Sequence, residues 1–254
     1  MTPLGALELF AIGVAASIFG SVVGLGGGFV IIPVLRIAFG VPPAQVAGTS
    51  LLMVLANTGA ATVGYLRARA IDLRFAVPFT VGAVPGSIIG VFAVKKFTPS
   101  AFDFAYGVVL IVLAILVVRR RSVKSRGAAE RTFAHDPIVG IIAGVGTGFF
   151  SSLFGIGGGV VLIPLLLIAA RMPPHVVTAT SAFVITTTAP VGVVTHALSG
   201  DVDWPFSLPL VLGGLVGGSI GPVIQRRVSS PRLITLLATA LIVAALGLAL
   251  RHLF

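Results

Sequence analysis

The chain has 254 residues, of which 57% are hydrophobic and 9% charged, with no cysteine and a formal net charge of +10. Soluble domains carry about 25% charged residues, so this composition excludes an ordinary water-facing surface, and the missing cysteines exclude disulfides, thiol catalysis and thiolate metal sites. The Lys and Arg sit largely in short stretches between apolar runs, as the positive-inside rule describes for membrane proteins, and no nucleic-acid partner is expected.

In chain order, the first apolar segment covers residues 4–23 and runs into the glycine-rich stretch "GLGGGFVIIP" (24–33). The second covers 27–40. It is shorter than the roughly 20 residues a helix needs to cross a bilayer, which suggests a half-helix entering from mid-membrane. "PPAQVAGTS" (42–50) leads into the third segment, 45–66, with the two prolines placed where a helix start tolerates them. The fourth, 75–94, carries Gly82, Gly86 and Gly90 at every fourth residue, a smooth stripe for close helix packing. The fifth covers 102–118 and is followed by the polar, basic "RRRSVKSRGAAERTFAHD" (119–136). Five more apolar segments follow near 137–154, 158–170, 175–198, 205–225 and 233–250.

The second set repeats the first. Shifting the chain by 131 residues lays "GLGGGFVIIP" on "GIGGGVVLIP", Pro42–Pro43 on Pro173–Pro174, and Thr49–Ser50 on Thr180–Ser181. The same shift lays Asp72 on Asp203 and the Gly82, Gly86, Gly90 stripe on Gly213, Gly217, Gly221. Equivalent loops differ in charge. Arg67, Arg69 and Arg74 follow the third segment of the first half, whereas Asp201 and Asp203 follow its counterpart. With basic loops in the cytoplasm, the halves face opposite ways. The expected architecture is an all-α polytopic membrane protein of two inverted-topology repeats, each of about five hydrophobic segments with the second short enough to be re-entrant. Residues 1–118 form the first repeat, 119–136 a cytoplasmic linker and 137–254 the second repeat. The plan is a recurring one among secondary transporters, which bind substrate near the midplane between repeats.

A glycine cluster before a helix can cradle a nucleotide phosphate, but that motif needs a soluble strand–turn–helix unit, and Phe29 stands where its third glycine would be. Within a membrane, Gly26, Gly27, Gly28 and their copies Gly157, Gly158, Gly159 can instead break the helix. Free N–H groups at the next helix start then face an anion; the competing reading is close helix packing or a tight turn. Thr49, Ser50, Thr180 and Ser181 could add hydroxyl donors, or bond back to their own helices. Asn57, two turns beyond Ser50, suits ligand contact or interhelical bonding equally. Glu8, Arg36, Asp103, His175 and His196 are the ionisable residues within segments. Arg36 would suit an anion path, and His196, which matches Tyr65, could relay a proton. No constellation for hydrolysis or metal binding is present, so the chain reads as a non-enzyme without a cofactor.

The paired stretches "GLGGGFVIIPVL…VPPAQVAGTSLL" and "GIGGGVVLIPLL…MPPHVVTATSAF" resemble the TauE/SafE family of membrane proteins, often called sulfite exporters, and the resemblance spans nearly the whole chain. It implies a bacterial inner-membrane permease exporting sulfite or related organic sulfur anions. The glycine clusters with Thr49, Ser50, Thr180 and Ser181 would line the substrate path. Residues and resemblance together predict a secondary transporter exporting a small oxyanion, sulfite or an organosulfonate such as sulfoacetate, by alternating access. Its partners would be the small anion and the lipid bilayer, with glycine stripes that permit a homodimer. The alternatives are a permease for another solute and a non-transporting membrane scaffold or maturation factor.

Overall fold

A computed structural model describes residues 3–120, 137–168 and 172–250. These form ten α-helices and, among the described residues, no strand. The first five are α1 (Pro3–Val23), α2 (Gly28–Ile37), α3 (Pro43–Arg67), α4 (Leu73–Val94) and α5 (Pro99–Arg120). The second five are α6 (Pro137–Phe154), α7 (Gly159–Ile168), α8 (Pro174–Leu198), α9 (Trp204–Gln225) and α10 (Ser230–Leu250). Of the expected linker 119–136, the first two residues close α5 and the rest lies outside the described residues.

Local chemistry sets the helix ends. Pro43 and Pro174 are the first residues of α3 and α8, where a missing N–H costs nothing. Asp72 and Asp203 cap α4 and α9, their Oδ1 atoms accepting from the N–H of Phe75 and Phe206 at 3.3 and 3.2 Å, as short polar N-cap side chains do. Among the described residues, seven helices are long and apolar enough to cross a membrane: α1, α3, α4, α5, α6, α8 and α9. α10 has 21 residues. The chain is a multi-pass helical membrane protein.

α2 and α7 have ten residues each, shorter than the apolar runs that contain them. At 1.5 Å per residue they span about 15 Å, half of a hydrocarbon core. α2 stops before Gly40, which takes φ +63. Pro33 lies inside α2 and cannot donate to the Phe29 carbonyl one turn earlier. Tyr106 of α5 fills that place, its hydroxyl donating to Phe29 O at 3.2 Å.

Glycine stripes lock the long helices pairwise. A methyl group on Gly82, Gly86 or Gly90 of α4 would collide with the carbonyls of Ile141, Val145 and Phe149 on α6. The steady register makes α4 and α6 parallel neighbours. α1 and α9 pair in the same way, Gly213 against Gly13, Gly217 against Ser17 and Gly221 against Ser21. α3 and α8 cross the centre antiparallel: Leu51 meets Gly192, Thr62 bonds Thr186 at 2.9 Å, and Ala61 and Tyr65 pack on Ala179 and Ala182. The contacts of one half thus reappear in the other 131 residues on.

Candidate functional site

The two glycine clusters meet at the middle of the bundle. α1 ends at Val23, and the N–H groups of Gly24, Leu25 and Gly26 all turn back to the Gly20 carbonyl at 2.7–3.3 Å. Gly24, Gly26 and Gly27 take φ of +87, +77 and +81, and Gly155, Gly157 and Gly158 take +78, +77 and +75. This left-handed region costs an L side chain about 1–2 kcal/mol, so a sequence of three such turns selects glycine. The chain then enters α2 at Gly28 and α7 at Gly159.

The clusters are packed against each other. A β-carbon on Gly28 would sit 2.7 Å from the Gly155 carbonyl, and one on Gly159 would sit 2.7 Å from the Gly24 carbonyl. Val54 of α3 presses on Gly26, Gly28 and Gly157, while Ile185 of α8 presses on Gly157 and Gly159. Val54 and Ile185 lie near the midpoints of two 25-residue helices, so α2 and α7 begin at mid-depth, their first turns side by side.

The hydroxyls form a cross-brace. Ser50 Oγ donates to Gly155 O at 2.8 Å, and Ser181 Oγ donates to Gly24 O at 2.9 Å. Each central helix therefore holds the cluster of the other half. Thr49 Oγ1 accepts from the Asp203 N–H, and Thr180 Oγ1 accepts from the Asp72 N–H, both at 3.0 Å. The threonines, each next in sequence to a bracing serine, tie each central helix to the start of α9 or α4. Asn57 is fully buried beside Gly218 of α9, and neither atom of its amide has a hydrogen-bond partner. Its match Thr188 bonds back to Val184 O at 2.8 Å.

Of the ionisable residues, Arg36 is wholly engaged. Its guanidinium forks onto both carboxylate oxygens of Asp103 at 2.7 Å, donates to Val41 O at 2.7 Å, and lies over the Phe102 ring. This buried clasp joins the end of α2 to the start of α5 and leaves no donor edge for an anion, because the remaining reach goes to Pro99 O. His196 is also fully buried. Its Nε2 faces Ser152 O at 2.9 Å and its Nδ1 faces Asp201 Oδ2 at 3.3 Å. Asp201 was not a candidate from sequence, since a loop acid reads as an ordinary solvated charge. A separate cavity of about 380 Å³ lies between α1, α2 and α10, lined by apolar groups including Phe19, Phe29, Pro33 and Val243, and offers nothing to an anion.

The family model described as sulfite exporter TauE/SafE matches residues 9–248. The protein named "probable membrane transporter protein YunE" of Bacillus subtilis is 30% identical over 255 residues, spanning 92% of this chain and 93% of that one. The one named "probable membrane transporter protein MJ0441" of Methanocaldococcus jannaschii is 29% identical over 248 residues, 92% and 91% of the two chains. "Sulfite exporter TauE/SafE family protein 3" of Arabidopsis thaliana is 30% identical over 139 residues, covering 51% of this chain and 28% of its own. No solved structure matches the chain.

Proposed function

The chain belongs to the TauE/SafE sulfite exporter family of membrane transporters, and from that premise we propose that it is a secondary transporter moving a small oxyanion, sulfite or an organosulfonate, outward across the bacterial inner membrane. One observation carries the reading: two half-length helices begin side by side at mid-depth, each out of a glycine cluster. The first turn of a helix leaves N–H groups without helical acceptors, and the positive end of its dipole lies there. In α2 and α7 the helical ladder starts with Val30 and Val161, which bond Gly27 O and Gly158 O at 3.1 and 3.0 Å. The Gly26 N–H is held by Gly20 O, so the donors ahead of the ladder are those of Gly27, Gly28 and Phe29 in one half and of Gly157, Gly158 and Gly159 in the other. Two such ends lying side by side suit a doubly charged anion. Two buried side chains with unpartnered polar atoms could join them: Thr147, which packs on Gly158, and Asn57, which packs on Gly218 of α9. Ser50, Ser181, Thr49 and Thr180 then act chiefly as the frame that brings the clusters together, and they reach the anion when that frame opens.

Halves 1–118 and 137–254 act as inverted repeats that rock about the α3–α8 crossing, so that the midpoint is open to one side at a time. The antiparallel α3 and α8, which match under the 131-residue shift, support this, as does the charge difference between their following loops. Purified protein in liposomes should exchange sulfite and sulfoacetate and ignore chloride; absence of any anion flux sinks the proposal. The topology has a separate check. Ala68 and Ser199 occupy matched C-cap positions, and the chain has no cysteine of its own. Ala68→Cys should label with an impermeant thiol reagent from the cytoplasmic side only, and Ser199→Cys from the opposite side only.

A further inference from the structure

The imidazole of His196 sits between two groups that only accept hydrogen bonds. A carbonyl oxygen, Ser152 O, faces Nε2, and a carboxylate oxygen, Asp201 Oδ2, faces Nδ1. Neutral histidine carries one N–H and can serve only one of them. The geometry needs one proton more, placed between Nδ1 and Oδ2. We propose that His196 and Asp201 form a dissociable proton site, with the proton as a second ligand beside the anion; its coupling to transport rests on the reading above, and the site itself does not.

A route for the proton exists. His196 is fully buried, the Asp201 side chain is 11% exposed, and the Lys95 ammonium, 39% exposed, lies 3.5 Å from the same Asp201 oxygen. The proton leaves Nδ1 for the Asp201 carboxylate and passes from there to water, and the ring keeps its Nε2–H on Ser152 O. The charged groups facing the ring are Asp201 from the α8–α9 turn and Lys95 from the end of α4. α6 presents the Ser152 carbonyl, and α3 presents Gly48. Once the proton is gone, two lone pairs confront each other at 3.3 Å, and the contact is favoured to open.

What opens is connected to the glycine cluster. Ser152 lies three residues before Gly155, in the last turn of α6. The backbone carbonyl of Asp201 is packed on Gly48, next to Thr49 and Ser50. Protonation therefore favours the arrangement that holds the second cluster against α3. The matched place in the other half has the same bond without the titration: Tyr65 OH donates to Ser21 O at 2.8 Å, three residues before Gly24. There Ala70 takes the position of Asp201, and Arg226, in the place of Lys95, donates to Gly64 O at 3.1 Å. Between these two matched places, the His196 end alone carries an imidazole and a carboxylate to respond to protons.

The test uses the full-length chain in lipid nanodiscs, with its four histidines labelled with 15N. The His196→Gln variant identifies the signal. In the wild type His196 should show a doubly protonated ring that converts to the Nε2–H tautomer as the pH is raised across the range in which the protein stays folded. Asp201→Asn should move that conversion to lower pH, and Tyr65→Phe should leave it in place. A single neutral tautomer throughout the range, in the wild type itself, overturns the proposal. Sulfoacetate flux in liposomes, run in parallel, separates the two failures. A titrating His196 without flux overturns the transport reading and keeps the proton site; flux with a non-titrating His196 overturns the site alone.

Discussion

Set side by side, the two glycine clusters are nearly superimposable in chemistry, whereas the outer ends of the two halves are not. Matched φ angles, matched serine donors and matched threonine acceptors recur at the centre. Toward the ends, Tyr65 stands opposite His196, and the buried Arg36–Asp103 clasp stands opposite Leu167 and Ile234. On the transport reading proposed above, the centre presents one anion with equivalent surroundings in two states, which accounts for the matched geometry of the two copies. On the same reading the ends meet different compartments and are free to differ. Sidedness in this molecule is written at the ends of helices, and the shared task is written at mid-depth.

The largest break in that comparison is expected at the clasp. Arg36→Met leaves Asp103 buried without its counter-charge and should cost about 3–5 kcal/mol, read as a lower unfolding midpoint in detergent. Adding Asp103→Leu gives the first half the apolar character of the second and should recover most of the loss. A single variant as stable as wild type would mean that the clasp is not what sets the two ends apart.

Next come the glycines. Gly27→Ala and Gly158→Ala each force a side chain to positive φ, for about 1–2 kcal/mol, and both should abolish sulfite flux at normal expression. Their surroundings differ. The new methyl at 27 meets the Ala16 carbonyl at 2.7 Å, while at 158 it meets Cγ2 of Thr147 at 2.8 Å. Thr147→Ser removes that methyl and should ease Gly158→Ala, whereas no side-chain change can ease Gly27→Ala. Equal rescue of both would contradict the packing described.

The smallest effects sharpen the likeness of the centre. Ser50→Ala and Ser181→Ala each remove one hydroxyl donor from a buried carbonyl, at about 1–3 kcal/mol. They should cost the same within a few tenths of a kcal/mol in the same unfolding measurement. A clear inequality would show that the two clusters are held unequally.

Much of this was legible in advance. The apolar runs, the glycine stripes and the 131-residue shift all lie along the chain, and the helices follow them closely. The short second segments were legible too, although α2 ends earlier than its apolar run, since Gly40 turns the backbone regardless of hydrophobicity. Ser50 and Ser181 could be picked as polar residues near the glycines, but not their role. A hydroxyl's partner is set by what lies across the gap, and that partner is 105 residues away for Ser50 and 157 for Ser181. Arg36 invited an anion and in fact holds Asp103, because a buried guanidinium takes the nearest carboxylate the fold supplies.

The sequence by itself determined the membrane class, the doubling of the chain, the helix starts marked by paired prolines, and the family. Those features are local or periodic, and periodicity survives without knowledge of neighbours. Only the tertiary structure decided that the two glycine clusters abut, that each is braced by a serine of the other half, and that His196 lies between two acceptors. These are contacts between residues far apart in the chain, fixed when glycine stripes let helix backbones approach closely enough to lock one register.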